Sequence, residues 1–362
     1  MNKSLRNRLI IKTSLLLCIC LFCQKTYAQK FEYDIKLQAL IDNIENNIPH
    51  EEENTIEGIS TETYLGIKLA PEIGISLDDK HYIFAGADLT HALGEDDFPS
   101  DLDYLLYYKY KHKHKLFNFY FGSFARNNSN REYSRNLFKD NHSFYDYTIE
   151  GVMFQYMSKN KKTKAEVFFD YYNKDKALRI DEFMVVGSFS QDLLIKQRLI
   201  VGAEALMNHF KNKHYLKDSY LLNRIQYNIK LEANFADLVH KNFDRISLKA
   251  TYQNSNEKTR SPALDKKINA KGFELEAHIR YKGIGLVYNK YMGDAQLSYL
   301  DQYGIKPYQA SVYYAFKDFD RINLSYYWSN KYIYVKADLI YYKTSKFKVN
   351  EQMLSFGVKI GS

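Results

Sequence analysis

Charged side chains recur at every second position along much of this sequence, and that spacing limits the chemistry they can do. In "NRIQYNIKLEA", Arg224, Lys230 and Glu232 alternate with Ile225, Tyr227, Ile229 and Leu231. In "KGFELEAHIRY", Glu274, Glu276, His278 and Arg280 alternate with Phe273, Leu275, Ala277, Ile279 and Tyr281. Arg245 and Lys249, then Arg321, then Lys336 and Asp338 occupy the polar phase of later runs, and Glu166, Asp170, Glu182 and Glu204 that of earlier ones. A period of two puts each set on one face of an extended strand. Fixed charges of both signs lining one surface suit selection of small polar solutes by charge. The order of signs predicts an acidic wall from the earlier strands and a basic wall from the later ones.

Signatures of bond-making chemistry are weak by comparison. "KHKHK" brings His112 and His114 close, but in a run of basic groups that repels a cation. His209 and His214 suggest no third ligand. No nucleophile elbow marks any serine, and neither a phosphate-binding glycine loop nor a basic-aromatic nucleic-acid patch occurs. The chain is therefore expected to be no enzyme, to need no cofactor or metal, and to bind no nucleic acid.

The elements that would position these charges are strands. Apolar repeats at helical spacing with caps are missing, and Tyr 33 and Phe 23 against Pro 5 favour sheet. Strands are predicted at 31–41, 59–77, 81–90, 101–110, 116–125, 148–158, 165–173, 181–191, 196–209, 219–233, 244–253, 270–281, 284–293, 319–329, 331–343 and 350–361. Short joints such as 78–80 and 329–330 alternate with long ones at 42–58, 126–147, 254–269 and 294–318.

Residues 1–28 read as a cleaved signal peptide: Lys3, Arg6, Arg8 and Lys12 precede an apolar core, and Thr26-Tyr27-Ala28 resembles a cleavage site. Cys18, Cys20 and Cys23 all lie in it, so residues 29–362 contain no cysteine for a disulfide or thiolate. The net charge of +8 falls to +3 without Lys3, Arg6, Arg8, Lys12 and Lys25, so the basic balance says little about partners.

An apolar strand face can pack on a second sheet or meet lipid. Strand length near the 9–11 residues of a tilted span, alternating loop lengths and tyrosines near strand ends favour lipid. The expected fold is all-β: a closed antiparallel transmembrane β-barrel of about sixteen strands over 29–362. The loop 126–147 carries Arg126, Arg131, Arg135, Lys139, Asp140 and Asp146 with Tyr133, Phe138, Phe144 and Tyr145. It reads most simply as a surface loop, with folding into the lumen as the alternative, and 294–318 reads the same way.

"TETYLGIKLAPEIG", "FYFGSFAR", "TIEGVMFQY" and "ALRIDEFMVVGSFS" together resemble the porin-like outer-membrane barrels of Bacteroidetes. "QMLSFGVKIGS" resembles a closing strand read by barrel-assembly machinery, although it lacks the terminal aromatic. The resemblance implies pore or loop-anchoring roles for Glu150, Asp170 and Glu182. The expected function is passive diffusion of a small polar solute through the bacterial outer membrane. The partners would be outer-membrane lipid, the assembly machinery, the solute and a possible homo-oligomer. A barrel closed by its loops with a structural or secretion-linked role, or a barrel hydrolase, are the alternatives.

Overall fold

The computed structural model describes residues 29–47, 59–112, 116–129, 132–175, 180–194, 198–212, 220–240, 242–260, 266–305 and 307–361. The segment read as a signal peptide, and Arg131, His114 and His214, lie outside them. In chain order the strands are β1 (Gln29–Asn46), β2 (Glu62–Leu77), β3 (His81–Ala92), β4 (Asp101–Lys111), β5 (Phe117–Ala125), β6 (Thr148–Met157), β7 (Thr163–Asp175) and β8 (Ile180–Asp192). They continue as β9 (Leu199–Asn212), β10 (Tyr220–Asn234), β11 (Phe243–Arg260), β12 (Lys267–Tyr281), β13 (Ile284–Gly293), β14 (Asp318–Ser329), β15 (Ile333–Thr344) and β16 (Lys348–Gly361). Each strand pairs with its sequence neighbours, and β1 closes the ring by pairing antiparallel with β16. Closure leaves no open edge whose backbone groups would go unpaired in hydrocarbon.

The alternation sets the faces. Ile229, Leu275, Ile279, Leu324 and Leu339 are exposed on the outer surface, while on the same strands Arg224, Glu274, Glu276, Arg321 and Asp338 are buried inside. An apolar band this extensive would drive a water-soluble protein to aggregate. In a bilayer it is matched by the lipid tails. Near the short-turn rim the exposed rings of Phe31, Tyr156, Phe235, Tyr281, Tyr326 and Trp328 supply an interfacial girdle. Towards the long-loop rim Lys290 pairs with Asp320 at 3.1 Å, and Tyr288 donates to the same carboxylate at 2.6 Å, marking where the outer face turns polar. An arginine at Ile229, midway along β10, should lower unfolding stability in lipid vesicles by about 2–4 kcal/mol. The same substitution at exposed Leu238, in the rim segment Ala236–Val239, should cost about 0–1 kcal/mol. Urea titration of both variants checks this gradient.

Both ends of the sheet lie at the short-turn rim, where Gln29 pairs with Leu77 and Asp34 with Gly361. The tightest connection there is Lys282-Gly283, both at positive φ (49° and 85°), the geometry of a two-residue hairpin.

Two expectations are corrected. The segment expected as a loop over 254–269 is mostly sheet, because β11 runs to Arg260 and β12 begins at Lys267. "NSNEKTR" hides its strand character because, beyond the hydrocarbon, polar residues suit both faces. The described residues of the loops at 126–147 and 294–317 do not lie on the surface but fold into the lumen. Their residues supply Leu137 and Phe138 to one apolar cluster inside the barrel wall, and Leu297, Tyr299, Tyr308, Val312, Tyr313 and Tyr314 to another. In the second, Tyr313 stacks on Tyr342 of β15 with ring centroids 3.5 Å apart.

Candidate functional site

The charges singled out by alternation all lie on strand positions facing the interior, and most are matched in pairs. Lys230 of β10 binds Glu204 of β9. Arg245 meets Glu232 at 2.7 Å, Lys249 meets Glu276 at 2.9 Å and Lys336 meets Asp338 at 2.8 Å. Arg321, buried on β14, reaches loop residue Asp140 at 3.0 Å. Asp170 of β7 holds loop residue Arg126 at 2.6 Å, and Glu166 accepts from Ser129 and Tyr133 of the same loop at 2.5 and 2.7 Å. Arg224 is buried against the Tyr308 ring and donates to the Tyr308 carbonyl at 3.3 Å. Glu182 is buried on β8.

The separate acidic and basic walls are therefore not found. Cations sit beside acids, and the infolded loop delivers Arg126 to Asp170 on the earlier strands and Arg135 to Glu274 on the later ones. Glu150 is a further correction: it is exposed, because β6 buries Ile149, Met153 and Gln155 in the opposite phase.

Glu274 joins the two infolded loops to the wall. Oε1 accepts from Arg135 at 2.8 Å and Asn289 at 2.9 Å, while Oε2 accepts from Gln253 at 2.9 Å and Tyr314 at 2.6 Å. Arg135 belongs to the loop after β5 and Tyr314 to the loop after β13, so one carboxylate clasps both. The loops also bond to each other, Lys139 N to the Gln309 carbonyl at 2.9 Å and Ser311 N to the Arg135 carbonyl at 2.8 Å.

A further network lies near β2, of which sequence reasoning had the acid Asp88 on the polar phase but missed Lys68 and Glu72. Lys68 and Asp88 form a buried pair at 2.5 Å, and Glu72 accepts from Tyr107 at 2.6 Å and from Lys36 at 3.2 Å. The signal was present in "GIKLAPEIG", where Lys68 and Glu72 share the phase opposite Leu69 and Ile73. Asp42, accepting from loop residue Tyr145 at 2.5 Å, was missed as well.

The loop's ionisable groups are tuned by this burial. Burial opposes a charge on Asp140, but Arg321 and Arg135 outweigh it and hold the carboxyl below its usual range. Burial, then Arg126 and Lys139, push His142 well below the usual imidazole value. The ring stacks on Phe138 with centroids 4.7 Å apart, and Nε2 lies 3.6 Å from Asp146. An imidazole held neutral in the fold contributes stability above the unfolded value near pH 6.5, lost as pH falls and the released loop takes up the proton first. Acidification from pH 7 to 5 should therefore increase proteolytic cutting within 126–147. His142→Phe should flatten that dependence.

Between the infolded loop after β5 and the short-turn rim lies a cavity of about 1060 Å³, lined by side chains from that loop and from β7 to β15. Among its lining residues are Glu204, Lys230, Glu232, Arg245, Lys249, Glu276, His278, Arg280, Lys336 and Asp338. A smaller cavity of about 350 Å³ lies by β1 to β4, with Asp34, Lys36, Glu72 and Lys109 on its wall.

The closed ring, the lipid-facing band and the polar interior define an outer-membrane β-barrel of sixteen strands. A family model described as Lipid A 3'-O-deacylase-type matches residues 36–318, and the chain belongs to that family. The family is named for a deacylase, which overturns the expectation that this barrel is no enzyme. A search of the curated proteins by sequence returns no match.

Solved structures share the fold. A loop-deletion mutant of OmpT, an outer membrane protein of Vibrio cholerae, superposes with a TM-score of 0.54 at 11% identity, covering 92% of this chain and 100% of its own. An anion-selective porin from Comamonas acidovorans gives 0.53 at 11% identity, with 92% and 100% covered. The outer membrane channel DcaP of Acinetobacter baumannii gives 0.52 at 12%, with 93% and 99% covered.

Proposed function

We propose that the protein is a loop-constricted conduit of the outer membrane, admitting small polar solutes by passive diffusion past a mixed-charge lumen. The observation that carries this reading is the charge-lined cavity of about 1060 Å³ under the infolded loop after β5, since a polar space of that size inside a lipid-facing ring holds water and hydrated solutes. The interior charges named above line the path, and Glu274 sets how far the two loops close it. Homo-oligomerisation, handling by the barrel-assembly machinery and kinship with the Bacteroidetes barrels belong to the same reading.

The test is swelling of liposomes carrying the folded protein in isotonic solutions of glycine, glucose and a disaccharide. The proposal expects swelling that falls with solute size. An inserted, folded barrel that passes none of these, in the native form and with Glu274 replaced by alanine, overturns it.

A second reading rests on the family match: cleavage of an acyl ester of lipid A. Mass analysis of lipid A from vesicles carrying the barrel tests it. Loss of one acyl chain supports that activity, and an unchanged mass spectrum counts against it.

A further inference from the structure

Among the charges on the cavity wall, Arg280 stands out. Arg280, at the short-turn end of β12, makes no ion pair among the described residues, and its Nε is buried without a hydrogen-bond partner. Its neighbours do not supply one: Arg245 is held by Glu232 at 2.7 Å and Lys249 by Glu276 at 2.9 Å. Asp244, at the same rim, accepts from the Gly283 amide at 3.4 Å.

Two residues before Arg280, His278 is only 6% exposed, and its Nε2 also lacks a partner. Buried polar atoms left unpaired cost free energy, and their convergence on one spot marks a place where a ligand can repay it.

The spot lies over Gly285, which pairs with Arg280 across the β12–β13 ladder and with Ser325 across the β13–β14 ladder. A Cβ on Gly285 would stand 2.7 Å from Ser325 Oγ, 3.7 Å from Arg280 Nε and 3.8 Å from His278 Nε2. The missing side chain thus leaves a cradle edged by a guanidinium N–H, an imidazole nitrogen and a hydroxyl. The hydroxyl's own contact, to the Gly285 carbonyl at 3.4 Å, is long. His278, Arg280 and Ser325 all border the large cavity.

We infer that Arg280, His278 and Ser325 form, over Gly285, a subsite for the carboxylate of a small organic anion at the short-turn end of the lumen. This deepens the conduit reading and rests on it for its biological sense. Arginine supplies the charge and a directed N–H, the groups that recognise carboxylates best. His278 and Ser325 hold the second oxygen, and Gly285 provides the room. The cations that flank the cradle are already neutralised, so the anion adds its charge where one cation stands uncompensated.

Binding can be read without any transport, by equilibrium dialysis of radiolabelled succinate against the full-length barrel folded in detergent micelles. The expected result is saturable binding at one site per barrel, displaced by acetate more effectively than by inorganic phosphate. Arg280→Gln should weaken it about ten-fold or more, the loss of one charge-assisted hydrogen bond. Gly285→Ala should weaken it comparably by filling the cradle and turning the Ser325 hydroxyl away, with every charge retained. Each variant is scored only after its folded form is confirmed by unheated gel mobility, and His278→Gln and Ser325→Ala serve if either fails to fold. Absent binding in the native barrel, binding unchanged in the folded variants, or stronger displacement by phosphate than by acetate overturns the subsite. Succinate binding in a barrel that swells no liposome removes the conduit and leaves the subsite standing. Swelling without binding does the reverse.

Discussion

Replacing Glu274 with alanine should release both infolded loops and raise conductance across a planar bilayer several-fold. The carboxylate takes hydrogen bonds from Arg135, Asn289, Gln253 and Tyr314, so this one side chain ties both loops to the wall. Its loss strands the Arg135 guanidinium, whose remaining acid, Glu276, stands at 3.9 Å and is already bound by Lys249 at 2.9 Å. Breaking a buried pair by removing one partner costs about 3–5 kcal/mol. In an isolated domain that would threaten the fold, but here the sheet closes through backbone bonds that do not involve the loops. The cost should therefore appear as loop release with the barrel intact. Glu274→Gln should give an intermediate current, because the amide oxygen still accepts hydrogen bonds but the charge that holds Arg135 is gone. A current and a proteolysis pattern unchanged from the native protein would show that Glu274 is no clasp.

Arg126→Ala should be the most damaging change in the loop itself. This guanidinium lies between Asp170 at 2.6 Å and Asp146 at 2.9 Å, and donates as well to the Asp146 and Thr148 carbonyls at 3.0 and 2.8 Å. Asp170 is fully buried, so alanine leaves a carboxylate without its counter-ion where water cannot reach it. The expected loss is again about 3–5 kcal/mol, read as a lower urea midpoint from the fluorescence of Trp328, the single tryptophan. Arg126→Lys should recover little, because a single ammonium cannot reproduce the planar donor set. Arg126→Ala combined with Asp170→Asn should recover a large part, since the orphaned charge goes with it. An equal loss in the single and double variants would mean that packing rather than charge explains the damage.

The barrel was legible in the sequence because lipid demands one face and a hydrated interior permits the other, so Ile225, Ile229 and Leu231 could be told from Arg224, Lys230 and Glu232 by phase alone. The same logic located the interior acids Glu166, Asp170 and Glu204. Glu150, given a pore or loop-anchoring role by resemblance and not by phase, is exposed, since strand phase and not residue type decides orientation. The site itself was only half legible. Periodicity reports which way a side chain points but not what meets it, so the partners Asp140, Arg126 and Arg135 stayed hidden in a loop with no repeat. That loop is polar because the lumen it enters is lined with charge, and a loop lying in water has the same composition. Tyr308, Tyr313 and Tyr314 were hidden for a related reason: a tyrosine that packs its ring inside a barrel while donating its hydroxyl looks, in sequence, like one at a membrane interface.

The central claim is that a hydrated chamber lies under the infolded loop after β5, which caps it from the long-loop side and is clasped with the loop after β13 by Glu274. Residues 29–362 contain no cysteine, so one thiol can be placed at Ser188, which borders the chamber. A charged, membrane-impermeant thiol reagent is then applied to either side of oriented vesicles. The account predicts rapid labelling of Ser188→Cys from the short-turn side, slow labelling from the long-loop side, and rapid labelling from both once Glu274 is also alanine. Equally fast labelling of the single variant from both sides, or none from either, would contradict it.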